Sequence, residues 1–175
     1  MSEDPHWLTP TQLYAWMQLT GAITQLPSVI DAQLRRDSGL NFFEYSILAG
    51  LSGAPRRAMK MATLAQMANG SQSRLSHAVS RLEKGGWVER RTCPEGSRSV
   101  EAVLTEEGVR KITEAAPSHV REVRRMVVDP LTDEELAQLR NALRKIMLVA
   151  SPEAVRLLDD TFAETTASGQ SSVDR

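Results

Sequence analysis

The chain has 175 residues, with 41% hydrophobic and 25% charged side chains, which indicates one globular domain with at most a helical extension and excludes disordered, collagenous and membrane-spanning classes. Its formal net charge of −1 conceals an uneven distribution: residues 54–98 hold nine basic and three acidic side chains, a balance of +6, whereas the rest of the chain carries −7. A basic segment within an acidic chain favours contact with a polyanion through one surface.

Two helices are predicted in the first third of the chain. Apolar side chains recur every three or four residues over 11–36, which predicts a long amphipathic helix. Pro27 lies inside that pattern and predicts a kink or a local break in the helix near residues 25–27. Asn41 is placed to cap a second helix, which ends in a cluster of helix-breaking residues at 52–55.

The basic segment contains the most informative pattern. A short apolar helix over 61–68 stops at a turn, and Ser71 is placed to cap a second helix that runs to about Lys84. Two helices joined by a three-residue turn are typical of a helix-turn-helix. The period then changes to that of strands on either side of a turn at 94–97, which predicts a β-hairpin directly after the helix pair. Such a hairpin is the wing of a winged helix.

The remainder of the chain is predicted to be helical. Thr105 is placed to cap a helix with an acidic first turn, and Thr132 with Glu135 forms a capping box for the next helix. Pro152 permits one or two further helical turns, and residues 165–175 are predicted to be a disordered tail. The predicted fold class is therefore mainly α with a small β-hairpin wing.

The helix over 71–84 presents a polar face opposite its apolar face. The polar face carries amide, hydroxyl, imidazole and guanidinium groups, which are the groups that read base edges in the major groove. We therefore predict a recognition helix for duplex DNA, followed by wing arginines that contact phosphates or an adjacent minor groove. The predicted DNA-binding residues are Ser71, Gln72, Ser73, Arg74, Ser76, His77 and Arg81 on the helix, and Arg90, Arg91 and Arg98 on the wing.

The block at 61–108 resembles the winged helix-turn-helix of the MarR (multiple antibiotic resistance regulator) family, most specifically in the string at 71–86 and the LTEEG sequence at 104–108. The resemblance covers roughly residues 8–150. It implies a transcription factor, usually a repressor, that binds a pseudo-palindromic DNA site as a homodimer and is released by a small ligand. The implied division is an N-terminal dimerisation helix over 1–36, a winged DNA-binding lobe over 37–104 and C-terminal dimerisation helices over 105–164.

The resemblance also implies an effector site between the dimerisation helices and the DNA-binding lobe. Aromatic side chains near that junction suit a flat, apolar or phenolic molecule. A role as ordinary core side chains is the alternative for the same residues. The candidate ligand-binding residues are Trp16, Phe42, Phe43 and Tyr45.

Other classes of function have less support in the sequence. The sequence contains neither a glycine-rich phosphate loop nor a serine elbow, so it gives no indication of an enzyme. Cys93 is the single cysteine, and the three histidines follow no metal-ligand spacing, so neither a metal nor a cofactor is expected. Two alternatives stay open: a redox sensor based on Cys93 on the same scaffold, and a winged-helix module that binds a protein partner instead of DNA. With no signal segment or membrane span in the sequence, we expect a cytoplasmic protein without membrane contact.

Overall fold

The computed structural model describes residues 6–68, 70–93 and 99–170. Within these ranges the chain is mainly α-helical with one small antiparallel sheet, which confirms the predicted fold class. In chain order the elements are α1 (Pro10–Ser38), α2 (Phe42–Gly53), a 3-10 turn (Pro55–Arg57), β1 (Ala58–Lys60), α3 (Met61–Met67), α4 (Gln72–Lys84), β2 (Val88–Thr92), β3 (Val100–Leu104), α5 (Glu106–Val123), a π-helical turn (Arg124–Val128), α6 (Asp133–Ala150) and α7 (Pro152–Gln170).

The predicted capping residues begin four of these helices. Asn41, Ser71, Thr105 and Thr132 each accept a hydrogen bond from the backbone N–H three residues later, at 2.8–3.2 Å. In α2 and α6 the bond is reciprocated by a glutamate, which completes a capping box. Because the first N–H groups of a helix have no partner inside the helix, such side chains fix where each helix begins.

The sheet has the strand order β1-β3-β2, and both pairs are antiparallel. β2 and β3 form the predicted hairpin, which we call the wing, although its turn at 94–97 lies outside the described residues. The sequence pattern does not predict β1. This strand has only three residues and no alternation, and its Ala58 pairs with Val103, 45 residues further along the chain. Its pairing thus depends on tertiary contacts that no local pattern encodes.

Two helices run further than their sequence patterns predict. α1 continues through Pro27 without the predicted break. The helix is exposed there, so the carbonyl that proline leaves unbonded is accessible to solvent. The predicted disordered tail is wrong for residues 165–170, because α7 extends to Gln170, whereas residues 171–175 lie outside the described residues. The anchor of α7 is Val155, which is 4% exposed where this helix packs against α2 and α3.

The core of the structure lies directly beneath α4. The apolar face of this helix is at most 1% exposed and belongs to one cluster with side chains of α2, α3, the sheet and α5. The long helices outside that cluster are different. The described α6 contains no buried side chain, and in α1 the buried residues are Gln33 and Leu34, near its carboxyl end. The chain therefore consists of a packed lobe with largely exposed helices extending from it.

The start of α5 is pressed against the start of the wing at Gly108. A Cβ on this glycine would lie 2.1 Å from the carbonyl oxygen of Trp87 and 2.7 Å from Leu104 Cδ1. We expect Gly108→Ala to lower the free energy of unfolding by about 1–3 kcal/mol, because the backbone must shift to relieve the overlap. Gly53→Ala is the control, since its added Cβ meets nothing within 4 Å. Equal free energies of unfolding for the two variants in a urea titration would contradict this packing.

Candidate nucleic-acid interface

The structure presents the predicted reading face of α4 to solvent. Leu75, Val79 and Leu82 point into the core, and this burial leaves the opposite side of the helix outward. The amino-terminal half of that outward side carries the polar groups. The exposed residues on and next to α4 are Ser71, Gln72, Ser73, Arg74, Ser76, His77 and Arg81. Amides, hydroxyls and an imidazole are thus available on a rigid element, as direct reading of the major groove requires.

Arg74 is held in place by an aromatic ring from α2. Its guanidinium carbon lies 4.2 Å from the centroid of the Phe43 ring, a cation–π arrangement. The same ring packs against the turn before α4, because a Cβ on Gly70 would lie 2.6 Å from Phe43 Cζ. Phe43 therefore supports both the helix-turn-helix turn and the first basic side chain of α4.

Asp31 connects α1 to this region. It accepts hydrogen bonds from Arg35 Nε at 2.6 Å and from the backbone N–H of Phe42 at 2.8 Å. Burial acts to raise the pKa of Asp31, but these hydrogen bonds and the charges of Arg35 and Arg74 lower that pKa overall. The carboxylate of Asp31 thus joins α1 to the first turn of α2. Its negative charge also interacts favourably with the positive charge of Arg74 on α4.

Arg81 is oriented by a carboxylate from α2. Its Nε donates to Glu44 Oε1 at 2.6 Å, and Glu44 Oε2 accepts the backbone N–H of Asn41 at 2.9 Å. The Glu44 side chain is only 10% exposed, whereas the Arg81 side chain is 58% exposed. Arg81 is therefore anchored at one edge and keeps solvent-facing surface for a phosphate contact.

The two consecutive arginines of the wing have different surroundings. Arg91 is 60% exposed and pairs with Glu89 on the same strand. Arg90 is 29% exposed, and its guanidinium bonds to groups on α4, including Glu83. This geometry argues against the predicted phosphate contact by Arg90 and retains Arg91 as the candidate. Arg98, the third predicted wing residue, lies outside the described residues.

A shallow depression of about 480 Å³ lies between α3 and the first turn of α4. It is lined in part by Gln72, a predicted reading residue, and by Ala62 and Gln66 of α3, which the sequence analysis did not single out. Both α3 residues are exposed and lie one helical turn apart, outside the apolar positions of that helix. The four-residue spacing was the signal available in the sequence, because it places Ala62 and Gln66 on one side of α3.

The structure does not gather the four predicted effector residues into one site. Phe42 and Tyr45 share a neighbour, His119 of α5, with ring centroids 6.4 and 4.3 Å from its ring. Phe43 instead contacts Arg74, and Trp16 lies on the outer part of α1 with 56% of its surface exposed. Within the described part of one chain, only Phe42 and Tyr45 are brought together.

Cys93 lies at the end of the wing strand β2 and is 4% exposed. Its backbone N–H donates to the carbonyl of Ser99 across the hairpin at 3.0 Å. Reactive thiols are accessible, whereas buried ones are typically inert. The burial of this side chain therefore argues against the redox-sensor alternative. Among the residues that the structure describes, no group of three His, Cys, Asp or Glu side chains is placed to hold a metal ion, and no helix is long and apolar enough to cross a membrane.

The fold and the exposed basic face of α4 define a winged helix-turn-helix DNA-binding protein. Residues 38–99 match the model of the MarR family. The chain is 30% identical over 135 residues to the HTH-type transcriptional regulator PecS of Dickeya dadantii (strain 3937), with 74% of this chain and 80% of PecS covered. The chain therefore belongs to the MarR family, and the matched relatives are transcriptional regulators and not enzymes.

Two solved structures from Streptomyces coelicolor are similar over most of the chain. The MarR family regulator Sco3205, solved in complex with DNA, is 40% identical with a TM-score of 0.81, covering 87% of this chain and 95% of that one. AbsC, also a MarR family regulator, is 35% identical with a TM-score of 0.80, covering 85% and 100%. These matches confirm the predicted family and the DNA-binding class, so the protein-interaction module without DNA binding is set aside.

The partly buried imidazole of His119 generates a prediction about pH. Burial lowers the pKa of His119 from its ordinary value of 6.5, so below that pH the unfolded chain binds a proton that the folded chain resists. Stability should therefore fall as the pH drops below about 6.5, and His119→Gln should flatten this fall. Thermal unfolding at pH 8, 7, 6 and 5.5 measures the effect, with His77→Gln, a change at an exposed imidazole, as the control. If His119→Gln lost stability at low pH to the same extent as the wild-type protein, the loss could not be attributed to His119.

Proposed function

We propose that the protein is a homodimeric transcriptional repressor that acts in the cytoplasm on a pseudo-palindromic DNA site. Its two α4 helices would enter successive major grooves about 34 Å apart, and occupancy of promoter DNA would block transcription. The observation that carries this proposal is the division of α4 into a fully buried apolar face and an exposed polar one. Contacts from α2 to Arg74 and Arg81 support it, because they hold two cationic side chains at defined positions on the exposed face.

The exposed apolar side chains of the long helices support the homodimer. They lie on α1 and α6, the two helices that extend from the packed lobe. An exposed apolar surface of this kind marks a protein interface, and two copies related by a twofold axis would cover the same surfaces reciprocally. The side chains include Leu13, Trp16, Met17, Ile23, Leu139, Leu143, Ile146 and Val149, each between 38% and 88% exposed.

Leu143 is the test position for this interface. It lies on α6 with Leu139 and Ile146 at helical spacings of four and three, and all three are exposed. We expect Leu143→Glu to convert the dimer into a monomer in light scattering, because the interface would then bury an unpaired charge. Asn141→Glu, which adds the same charge on the other side of the helix, is the control. Wild-type protein that is monomeric at micromolar concentration would contradict the homodimer.

An effector of flat, phenolic character is part of the proposal. Phe42 and Tyr45 offer apolar surface near the carboxyl end of α1. Two buried polar atoms at the same junction, Gln33 Oε1 and His119 Nδ1, have no hydrogen-bond partner among the described residues. A ligand that supplied hydrogen bonds there would bind one dimer conformation in preference to another and thereby shift DNA affinity.

Gln72 tests base reading by α4. It is the first residue of the helix and is exposed, and a glutamine amide pairs with the major-groove edge of adenine. On a duplex selected by the wild-type protein from a randomised library, we expect Gln72→Ala to weaken binding by about 1–3 kcal/mol. Binding to a scrambled duplex should not change, because that binding depends on phosphates. Fluorescence anisotropy measures both affinities.

Gln138→Ala serves as the control for this measurement. Among the described residues its amide bonds to Glu134, on the exposed surface of α6, so its loss should leave both affinities unchanged. Equal discrimination between the two duplexes by Gln72→Ala and the wild-type protein would refute base reading at this position.

A further inference from the structure

Arg90 of the wing is bonded to the recognition helix through four hydrogen bonds. Its Nη1 donates to Glu83 Oε2 at 2.6 Å, and its backbone N–H donates to Glu83 Oε1 at 3.1 Å. Its Nη2 donates to the carbonyl oxygen of Ser76 at 2.8 Å and to Ser80 Oγ at 3.2 Å. One arginine therefore engages about two turns of α4 from outside the helix.

The spacing of these partners shows why the arrangement is rigid. Ser76, Ser80 and Glu83 are four and three residues apart, so they form one line along the face of α4 that points towards β2. The side chains of Arg90 and Glu83 are each 29% exposed. A partly buried, charge-assisted pair of this kind holds its geometry better than an exposed pair does, and each charge is costly to leave without the other.

The nitrogen atoms of Arg90 that would reach a phosphate are directed at α4 instead. Contact with DNA through Nη1 or Nη2 would require Arg90 to release Glu83 or the Ser76 carbonyl. Arg91, the neighbouring residue on the strand, has no bond to α4 among the described residues and is 60% exposed. Of these two adjacent arginines, Arg90 is therefore bonded to α4, whereas Arg91 is exposed and pairs with Glu89 on its own strand.

We propose that Arg90 and Glu83 are positioning residues that fix the angle between the wing and the recognition helix, so that both meet the same DNA duplex. This inference rests on the proposed role of α4 as the DNA reader. In it, Arg90 contributes no phosphate contact. Its effect on DNA passes through the orientation of α4 and of the β2 strand that carries Arg91.

Substitution of Glu83 distinguishes a positioning role from a direct effect of its charge on DNA affinity. Removal of a negative charge from a DNA-binding surface strengthens binding when charge alone acts, because repulsion from the phosphates falls. Loss of a positioning residue weakens binding to the selected site instead. Glu83→Gln therefore gives changes of opposite sign under the two explanations.

The first experiment compares Glu83→Gln with Glu89→Gln on the selected and scrambled duplexes. Both variants remove one negative charge, but Glu89 bonds to Arg91 and not to Arg90. We expect Glu83→Gln to lose roughly tenfold in affinity for the selected duplex, within the range of coupled neighbours, and to keep its affinity for the scrambled one. Glu89→Gln should bind both duplexes as well as the wild-type protein or more tightly. A gain in affinity for the selected duplex in Glu83→Gln would overturn the proposal.

The second experiment measures how binding depends on salt for Arg90→Gln and Arg91→Gln. Loss of one phosphate contact reduces the slope of log affinity against log salt by about one. We expect that reduction in Arg91→Gln and an unchanged slope in Arg90→Gln. The double variant Glu83→Gln with Arg90→Gln should lose roughly tenfold and not a hundredfold, because both changes break one link. A flattened slope in Arg90→Gln, or losses that multiply, would refute the positioning role.

Circular dichroism and thermal unfolding check that each variant is folded. Glu83→Gln keeps an oxygen that accepts the Arg90 backbone N–H, so it remains decisive even if Arg90→Gln unfolds. Wild-type protein that binds no duplex would overturn the proposed function together with this inference. Wild-type protein that binds the selected duplex, combined with a gain in Glu83→Gln, would overturn the inference alone.

Discussion

The burial of one face of α4 is the constraint on which the rest of the structure depends. Leu75, Ala78, Val79 and Leu82 are at most 1% exposed and pack against α2, α3, the sheet and α5. Leu75, Val79 and Leu82 each contribute about 1.5–3 kcal/mol relative to exposure, so the helix cannot rotate about its axis without losing several of these contributions. The polar face of α4 is consequently fixed outward. Core packing between α4 and the sheet also fixes its position relative to the wing.

Several arginines around α4 make contacts within the protein itself. Arg74 lies against the Phe43 ring, Arg81 bonds to Glu44, and Arg90 bonds to Glu83. Part of the positive charge in this segment is therefore used inside the protein. The +6 balance of residues 54–98 overstates the charge available to DNA, because it counts Arg81 without its partner Glu44, which lies outside that segment.

The parts of the fold that were predicted from the sequence are those with local causes. Helix starts follow from side chains that bond three residues ahead, as at Asn41 and Ser71, and the reading face follows from the helical period of α4. The strand β1 could not be predicted, because it has three residues and pairs with β3, which is distant in the sequence. The hydrogen bonds of Arg90 were not predicted for the same reason, since the turn between α4 and β2 brings its partners on α4 within reach. Ala62 and Gln66 were overlooked although their spacing was visible.

The length of α1 has a mechanical consequence. With 29 residues the helix spans about 43 Å, yet its buried side chains are Gln33 and Leu34 at one end. A tilt of roughly 5° about that end would displace the opposite tip by roughly 4 Å, given the length of such a helix. The buried end of α1 adjoins α5, because Gln33 Nε2 donates to Oγ of Ser118, the residue before His119, at 3.2 Å. In the proposed homodimer, an effector bound at this end of α1 would therefore change the distance between the two α4 helices by tilting α1, through contacts with only a few side chains.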